Sequence, residues 1–268
     1  METQKCYPFY IDKIKRTPSF VMNNDHFHSY YELYYMLTGT CRYFVNDTVY
    51  QLKQGDIMLI SKDDLHHTSY YFKGTHERIV IYFRENTTEP SETKSIKDSL
   101  KSDKYTIVNN RRAEVEELLL KMQVEIKLTD DYSRQLLYYY FQQLMLLIMR
   151  YRDYSTDNPE AVSTSDYAIQ AAAKFIFKNF ANDITLNDAA EVADLSPTYF
   201  SKKFKQVTGF SFKEYLNQIR LKEASVQLLE TKSSITEIAF RCGFNNSNYF
   251  GDLFKKAKGV SPAQYRKG

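Results

Sequence analysis

Short apolar and aromatic runs, separated by turn residues at regular spacing, occupy the first third of the chain. Tyrosine, phenylalanine, isoleucine and valine recur between residues 7 and 83. Turn signals fall at Asn23-Asn24, Gly39, Asn46-Asp47, Gln54-Gly55, Lys62-Asp63-Asp64 and Lys73-Gly74. Evenly spaced short strands are typical of antiparallel barrels and sandwiches. The pattern therefore predicts an antiparallel β-barrel or sandwich.

Two segments with apolar residues at helical spacing follow, residues 111–128 and 132–152, and each predicts one helix. One apolar stripe of the second helix comprises Leu137, Phe141, Leu144 and Ile148. Further apolar residues widen this stripe beyond what a single barrel would cover. We therefore expect the helical pair to be a dimerisation segment, with Leu144 and Ile148 in the contact. A helix buried between two domains is the alternative.

A polar segment, residues 153–165, separates these helices from a second helical region. Its sequence, DYSTDNPEAVSTS, is rich in Ser, Thr, Asp and Pro, which is typical of a linker. A chain of 268 residues also favours two domains. The sequence thus predicts domains at residues 1–152 and 166–268, the second beginning with a helix from about Asp166 to Phe180.

The segment 184–268 contains one pattern twice. Six features of the first copy return fifty positions later, namely Tyr199-Phe200, Phe204, Lys205, Gly209, Ser211 and Tyr215. Upstream of them the offset is forty-nine, so one residue is inserted in the turn between the two halves of the copy. A pattern repeated in this way indicates a supersecondary element used twice.

Each copy combines a short amphipathic helix, a turn and a second helix with a polar face. Asp194 and Gly243 are predicted to adopt positive φ in the turns, and Ser196 and Asn246 to cap the second helices. Small polar residues at a helix N-terminus, followed by lysines, match a helix lying in a DNA major groove. The residues predicted to contact DNA are Ser196, Thr198, Ser201, Lys202, Lys205, Asn246, Ser247, Asn248, Tyr249 and Lys255. A helical hairpin with a solvated polar face is the alternative.

This segment resembles the AraC/XylS family of transcription regulators, which have two helix-turn-helix units joined by a long helix. The resemblance rests on Ile238-Ala239, Gly243-Phe244, Tyr249-Phe250, Phe254-Lys255-Lys256 and Gly259-Val260-Ser261-Pro262. One departure is Asp252, which stands where such regulators often carry arginine. An acid cannot contact guanine or phosphate as arginine does, so Asp252 is expected either to contact cytosine or to hold a neighbouring side chain.

Charge and cysteine content agree with DNA binding by the C-terminal part of the chain. Residues 166–268 contain 15 Lys and Arg against 10 Asp and Glu, whereas residues 1–165 contain 21 against 23. Three cysteines without paired spacing, Cys6, Cys41 and Cys242, are interpreted as reduced thiols. No segment has the pattern of a signal peptide or a membrane span, so we expect a cytoplasmic protein with no membrane partner. The glycines form no GxGxxG or Walker loop, which excludes nucleotide binding by those motifs.

A second resemblance lies within the strand region. The run from His26 to Glu32, followed by Gly39, is similar to the first cupin motif, and Gly55 to Ile60 followed by His66 is similar to the second. The match covers roughly residues 20–84. It lacks the usual glycine before the first motif, and Ser61, Asp63 and Tyr70 replace the usual proline, glycine and asparagine of the second. The resemblance implies a cupin-like barrel.

One strand face of the first motif collects the polar and aromatic side chains, because side chains alternate along a strand. In regulators that this chain resembles, such a barrel holds an organic effector. The side chains expected to line an effector site are His26, His28, Tyr30, Glu32, Tyr34, His66 and Tyr82, with the tyrosines as surfaces on which a sugar ring could stack. As an alternative, His26, His28, Glu32 and His66 would bind a divalent metal ion. A purely structural cluster is the third interpretation, and no other cofactor is expected.

The predicted fold class is α+β and multidomain, with an N-terminal antiparallel cupin-like barrel and a C-terminal all-α double helix-turn-helix domain. The predicted function is non-enzymatic: a homodimeric transcription regulator that binds a double-stranded DNA operator and a small-molecule effector, such as a carbohydrate. As an activator it would also contact RNA polymerase. The alternative is a metal-dependent cupin enzyme using His26, His28, Glu32 and His66, for which the helix-turn-helix units would serve no purpose.

Overall fold

The computed structural model of the chain describes residues 9–17, 28, 30–69, 75–84, 101–128, 130–152 and 164–267. The chain divides into two compact units. The N-terminal unit comprises Met1–Val45 and Val49–Val162, and the C-terminal unit comprises Ser163–Gly268 together with Asn46–Thr48. Residues 153–163 lie outside the described ranges, so the predicted linker stays a prediction there. No helix within the described ranges is both long enough and apolar enough to cross a membrane.

Antiparallel strands build the N-terminal unit, which confirms the predicted fold class. The described strands are β1 Phe9–Arg16, β2 Tyr31–Thr38, β3 Thr40–Val45, β4 Thr48–Lys53, β5 Asp56–Ile60, β6 His66–Ser69, β7 His76–Phe83 and β8 Asp103–Thr106. One sheet has the order β1-β7-β2-β5-β8 and the other has the order β4-β3-β6. Strand β8 lies beyond the predicted strand region; its pairing with β5, from Asp56–Thr106 to Leu59–Asp103, is a long-range contact with no local sequence signal.

Alternation along β2 separates the two faces of the five-stranded sheet. Tyr34 and Met36 point into an apolar cluster that also contains Tyr43 of the three-stranded sheet, so the two sheets pack face to face. Tyr31 and Leu33 point to the opposite face, into a second cluster shared with the two following helices. The predicted alternation is therefore confirmed at these positions.

Helices α1, Arg112–Glu125, and α2, Asp131–Tyr151, cover the outer face of the five-stranded sheet. Asp130 caps α2, because its side chain accepts a hydrogen bond from the Ser133 backbone N–H at 2.8 Å. The stripe containing Leu144 and Ile148 is buried in the chain's own core. The prediction that these two residues contact another chain is therefore wrong, because the sheet of the same chain already covers them.

The C-terminal unit consists of helices. They are α3 Thr164–Asn179, α4 Leu186–Val192, α5 Pro197–Thr208, α6 Phe212–Glu230, α7 Ile235–Arg241, α8 Ser247–Lys258 and α9 Pro262–Tyr265. Helix α3 begins two residues before the predicted Asp166, so the last two residues of the predicted linker are helical. Helices α4 and α5 form the first helix-turn-helix repeat, α7 and α8 form the second, and α6 joins them.

Turns and caps of the two repeats follow the predicted chemistry with one exception. Asp194 and Gly243 both adopt positive φ, at 53° and 86°. Asn246 caps α8 by accepting hydrogen bonds from the backbone N–H groups of Asn248 and Tyr249. Ser196 occupies the cap position of α5 ahead of Pro197, but its side chain makes no capping hydrogen bond.

We expect Gly243→Ala to destabilise the C-terminal unit. A Cβ atom at this position would lie 2.8 Å from the Phe180 carbonyl oxygen and 2.9 Å from Arg220 Nε, which itself donates to that oxygen. Together with the left-handed backbone, this crowding should lower the free energy of unfolding by about 2 kcal/mol or more. Urea denaturation measures the loss. Asp194→Gly is the matched control and should be neutral or stabilising, and an unchanged midpoint for Gly243→Ala would contradict the close approach.

Candidate functional sites

A buried carboxylate, Glu32, is the centre of a polar cluster between the two sheets. The Tyr43 hydroxyl donates to its Oε1 at 2.8 Å. His28 Nε2 and His66 Nε2 lie 3.2 and 3.4 Å from its Oε2. Glu32 lies on β2 of the five-stranded sheet, whereas Tyr43 and His66 lie on β3 and β6 of the other, so facing strands build the cluster.

The two imidazole rings are oriented by backbone carbonyls. His28 Nδ1 lies 2.8 Å from the Tyr30 carbonyl oxygen, and His66 Nδ1 lies 2.9 Å from that of Asp64. A carbonyl oxygen only accepts, so each Nδ1 carries the proton and each Nε2 faces Glu32. In a neutral ring that Nε2 is an acceptor, and it would face an acceptor oxygen. A second proton on a ring, or a cation among the three groups, makes these contacts attractive.

Ionisation of the cluster follows from this arrangement. Burial acts to raise the pKa of Glu32, but the hydrogen bonds from His28 and His66 outweigh it and hold that pKa well below its usual value. Burial acts to lower the pKa of His66, but its hydrogen bond and attraction to Glu32 raise it overall. Burial and the Glu32 charge raise the pKa of Tyr43 well above its usual value, so its hydroxyl stays a donor.

Aromatic rings surround the polar cluster. His28 stacks on Tyr30 with ring centroids 4.0 Å apart and meets Tyr82 edge-on at 5.5 Å. Tyr30 and Tyr82 also meet edge-on, at 5.2 Å. These rings form an aromatic wall beside a charged group, which is a common composition for a site that binds a small polar ligand.

The structure brings most of the predicted effector residues together. A continuous series of contacts connects His28, Tyr30, Glu32, His66 and Tyr82. Tyr34 contacts Tyr43 and Cys41: its ring meets the Tyr43 ring at 5.2 Å and its hydroxyl lies 3.6 Å from Cys41 Sγ. His26 lies outside the described residues.

One member of the cluster, Tyr43, was not predicted. Alternation along β3 places Cys41, Tyr43 and Val45 on one face, and all three are buried in the inner cluster. That alternation was the available signal. Alternation does not show that this face of β3 packs against Glu32, because β2 belongs to the other sheet.

Three groups of the cluster have the arrangement of a metal site. The ligand atoms of His28, Glu32 and His66 all lie within 4.8 Å of one another. Tetrahedral coordination at bond lengths of about 2.1 Å separates ligand atoms by roughly 3.4 Å, close to the distances at Glu32 Oε2. Hydrogen bonds from each Nδ1 to a carbonyl are also the usual support of metal-binding histidines. The residues therefore fit a divalent first-row ion.

A polar and basic surface lies on the second helix of each repeat, α5 and α8, called here the recognition helices. Thr198, Lys202 and Lys205 are exposed along one face of α5, while its opposite face buries Phe200 and Phe204. On α8, Asn248 and Lys255 are exposed over buried Phe250 and Phe254. The remaining predicted DNA-contacting residues also reach the surface, with Ser201 and Ser247 half-buried and Ser196, Asn246 and Tyr249 exposed.

Sequence comparisons place both parts of the chain in known groups. Residues 13–121 match the family model of the AraC-like ligand binding domain, and residues 189–268 match that of a helix-turn-helix domain. Together the two matches span most of the chain.

Relatives match along nearly the whole chain. The HTH-type transcriptional activator RhaR of Enterobacter sp. (strain 638) is 27% identical over 90% of this chain and 86% of its own length. RhaS of the same strain is 26% identical over 91% of this chain and 87% of its own. Among solved structures, the C-terminal domain of AraT, a response regulator from Geobacillus stearothermophilus, is 42% identical, covering 39% of this chain and 88% of that one with a TM-score of 0.37. An AraC-like ligand binding domain is followed along the chain by a helix-turn-helix domain, and the chain belongs to the AraC/XylS family of transcription regulators.

Proposed function

We propose that the protein activates transcription in response to a small polar effector, such as a carbohydrate, bound at the Glu32 cluster. One observation carries the proposal: a single chain holds two exposed recognition helices with basic residues and a buried, charged cluster surrounded by aromatic rings. Such a protein acts in the cytoplasm, where it contacts DNA and RNA polymerase. The proposal includes no catalytic step.

Effector control requires a difference in affinity. An effector shifts DNA binding only if it binds more tightly to one arrangement of the protein than to another, and DNA then changes effector affinity by the same factor. We infer that the difference in effector affinity arises at the Glu32 cluster, because the residues of the cluster come from strands of both sheets. A ligand bridging them would favour one packing of the sheets.

The chemistry of the cluster favours a polyhydroxylated ligand. Glu32 accepts hydrogen bonds, an imidazolium or tyrosine hydroxyl donates them, and the rings of Tyr30 and Tyr82 offer flat apolar surfaces. A buried hydroxyl left unsatisfied costs about 1–3 kcal/mol, so paired donors and acceptors are needed for each one.

A divalent metal ion at His28, Glu32 and His66 is a second candidate, because these ligand atoms already converge. A bound ion would supply a Lewis-acid anchor for an effector oxygen. The three side chains would hold it, and Tyr43 would orient the carboxylate through its bond to the other oxygen. Metal analysis of the purified protein distinguishes this candidate from an organic effector alone.

We further propose that α2 forms a homodimer contact through a stripe other than the one first predicted. Tyr132, Leu136, Tyr139 and Leu146 recur at helical spacing along α2, and each is exposed. Leu120 and Val124 are exposed on neighbouring α1. Large apolar side chains clustered at a surface mark interaction sites. A second copy of the chain offers the same stripes and closes such a contact symmetrically.

Footprinting on a selected operator tests the proposed function. Two recognition helices joined by α6 are expected to enter successive major grooves about 34 Å apart on one face of the duplex. Each protomer should therefore protect an asymmetric site. Lys202→Ala should reduce base discrimination in one groove segment by about 1–3 kcal/mol, if Lys202 donates to a base. Protection of a single groove would contradict the two-helix arrangement. An equal loss of affinity for all DNA sequences in Lys202→Ala would show that Lys202 contacts only phosphate.

A further inference from the structure

The two recognition helices carry opposite charges at one equivalent position. Helices α5 and α8 each contain 12 residues and end at a left-handed glycine, Gly209 or Gly259. Lys202 is the sixth residue of α5 and Asp252 is the sixth residue of α8. The same site of the repeat therefore presents a cation in one copy and an anion in the other.

The fold does not use either of these side chains. Lys202 and Asp252 are both exposed, and the described part of the chain contains no hydrogen bond or ion pair to either. Lys255 and Lys256 lie one turn beyond Asp252, at the spacing that favours an ion pair on a helix, yet neither lies within bonding distance. Of the two roles that the sequence left open for Asp252, holding a neighbouring side chain is therefore not the one observed.

Gly251, the residue before Asp252, is a second feature that the fold does not explain. Glycine is a poor helix former, and its use is normally tied to positive φ or to crowding. Gly251 is not among the positive-φ residues, and a Cβ atom placed on it would meet no atom within 4 Å. It lies three residues after Asn248 and four before Lys255, so it shares their face of α8. The equivalent residue of α5 is Ser201.

We propose that Asp252 is the specificity-determining residue of the second repeat and accepts a hydrogen bond from the exocyclic amino group of a cytosine. We propose also that Gly251 lets α8 approach the groove closely enough for this short side chain to reach. Both statements rest on the DNA binding proposed above. Lys202, the equivalent residue of the first repeat, has a longer side chain and donates a hydrogen bond to a guanine instead.

Major-groove chemistry selects cytosine among the four bases. A carboxylate only accepts hydrogen bonds, and guanine and thymine present acceptors to it at O6, N7 and O4. Adenine offers a donor at N6, but its N7 acceptor lies beside it and repels the second carboxylate oxygen. Cytosine offers the N4 amino group without an adjacent acceptor. Phosphates repel an acid, so Asp252 gains nothing from the DNA backbone, whereas Lys255 and Lys256 do.

Selection of binding sites from a random-sequence DNA pool, with the full-length protein, tests the assignment. The wild type should enrich cytosine at one position of the groove segment bound by the second repeat. Asp252→Asn should change that base to adenine, because an amide both donates and accepts. Asp252→Ala should lose about tenfold or more of the discrimination there. Lys202→Ala should alter only a position about one helical turn away, which identifies the segment that belongs to each repeat.

The outcomes separate this inference from the function on which it rests. Enrichment of an operator by the wild type, with unchanged preferences at every position in both Asp252 variants, overturns the inference and leaves the regulator intact. Enrichment of no sequence by the wild type overturns both. A uniform gain in affinity for all sequences in Asp252→Ala shows only relief of repulsion, and it also overturns the assignment.

Gly251→Ala tests the close approach separately. Alanine is the better helix former, so this variant should melt at a higher temperature than the wild type. Its affinity for the selected operator should nevertheless fall about tenfold, with much less change for non-specific DNA. A higher melting temperature with undiminished operator affinity would overturn the proposed role of Gly251.

Discussion

Leu144→Glu is expected to unfold the N-terminal unit, whereas Leu136→Glu is expected to leave it folded and to separate the protomers. Both residues lie on α2, but Leu144 is 0% exposed in the chain's own core and Leu136 is 37% exposed on the opposite stripe. A buried, unpaired carboxylate should cost more than about 4 kcal/mol, much of the stability of a typical domain. A glutamate at Leu136 should change the stability of the monomer by less than about 0.5 kcal/mol.

Thermal denaturation and sedimentation together check this pair. Gln54→Glu is the control, because it adds the same charge to an exposed position of the same unit, in the turn between β4 and β5 rather than on α2. It should remain folded and associated. A folded, dissociated Leu144→Glu protein would place that residue in an interface after all. An unchanged dimer for both Leu136→Glu and Leu146→Glu would move the interface away from this stripe.

Loss of the Glu32 carboxylate is expected to abolish the effector response while DNA binding survives. Glu32→Gln keeps the size of the side chain and its oxygen can still accept from Tyr43, but it removes the charge that both imidazoles face. It also removes the interaction that raises the pKa of His66. Because the effector would then miss a hydrogen bond worth about 1–3 kcal/mol, its affinity should fall roughly fivefold to more than a hundredfold.

Melting temperature measured against candidate sugars reports binding, because a ligand of the folded state raises it by mass action. Electrophoretic mobility shift on the operator reports the C-terminal unit. Glu77→Gln is the control, since Glu77 pairs with Lys13 at 3.4 Å on the surface of the same unit. His66→Ala should behave as Glu32→Gln does.

The same variants distinguish the three interpretations of the cluster. If a metal ion is bound, the wild type should hold one ion per chain, the Glu32 and His66 variants should lose it, and a chelator should reproduce their phenotype. If the variants keep both the effector response and the wild-type metal content, the cluster is structural and the proposed site is wrong.

The amino-acid sequence by itself determined the features that are local. Alternation specified which side chains of β2 share a face, because successive side chains of a strand point to opposite sides. The duplicated pattern specified the two repeats, and Asp194 and Gly243 marked their turns, because few residues tolerate positive φ. Helical spacing likewise specified the buried faces of α5 and α8.

Only the tertiary structure decided what covers each face. The sequence showed that α2 is apolar on more than one side, but not that the stripe of Leu144 packs on the sheet and that of Leu136 faces outward. The pairing of β8 with β5 joins residues far apart in the chain, and the hydrogen bond from Tyr43 to Glu32 joins strands of different sheets. Periodicity fixes which residues point the same way, since that depends on neighbouring backbone geometry. Which surface packs against a given face depends on how elements distant in the sequence are arranged in space, and no short stretch of sequence contains that information.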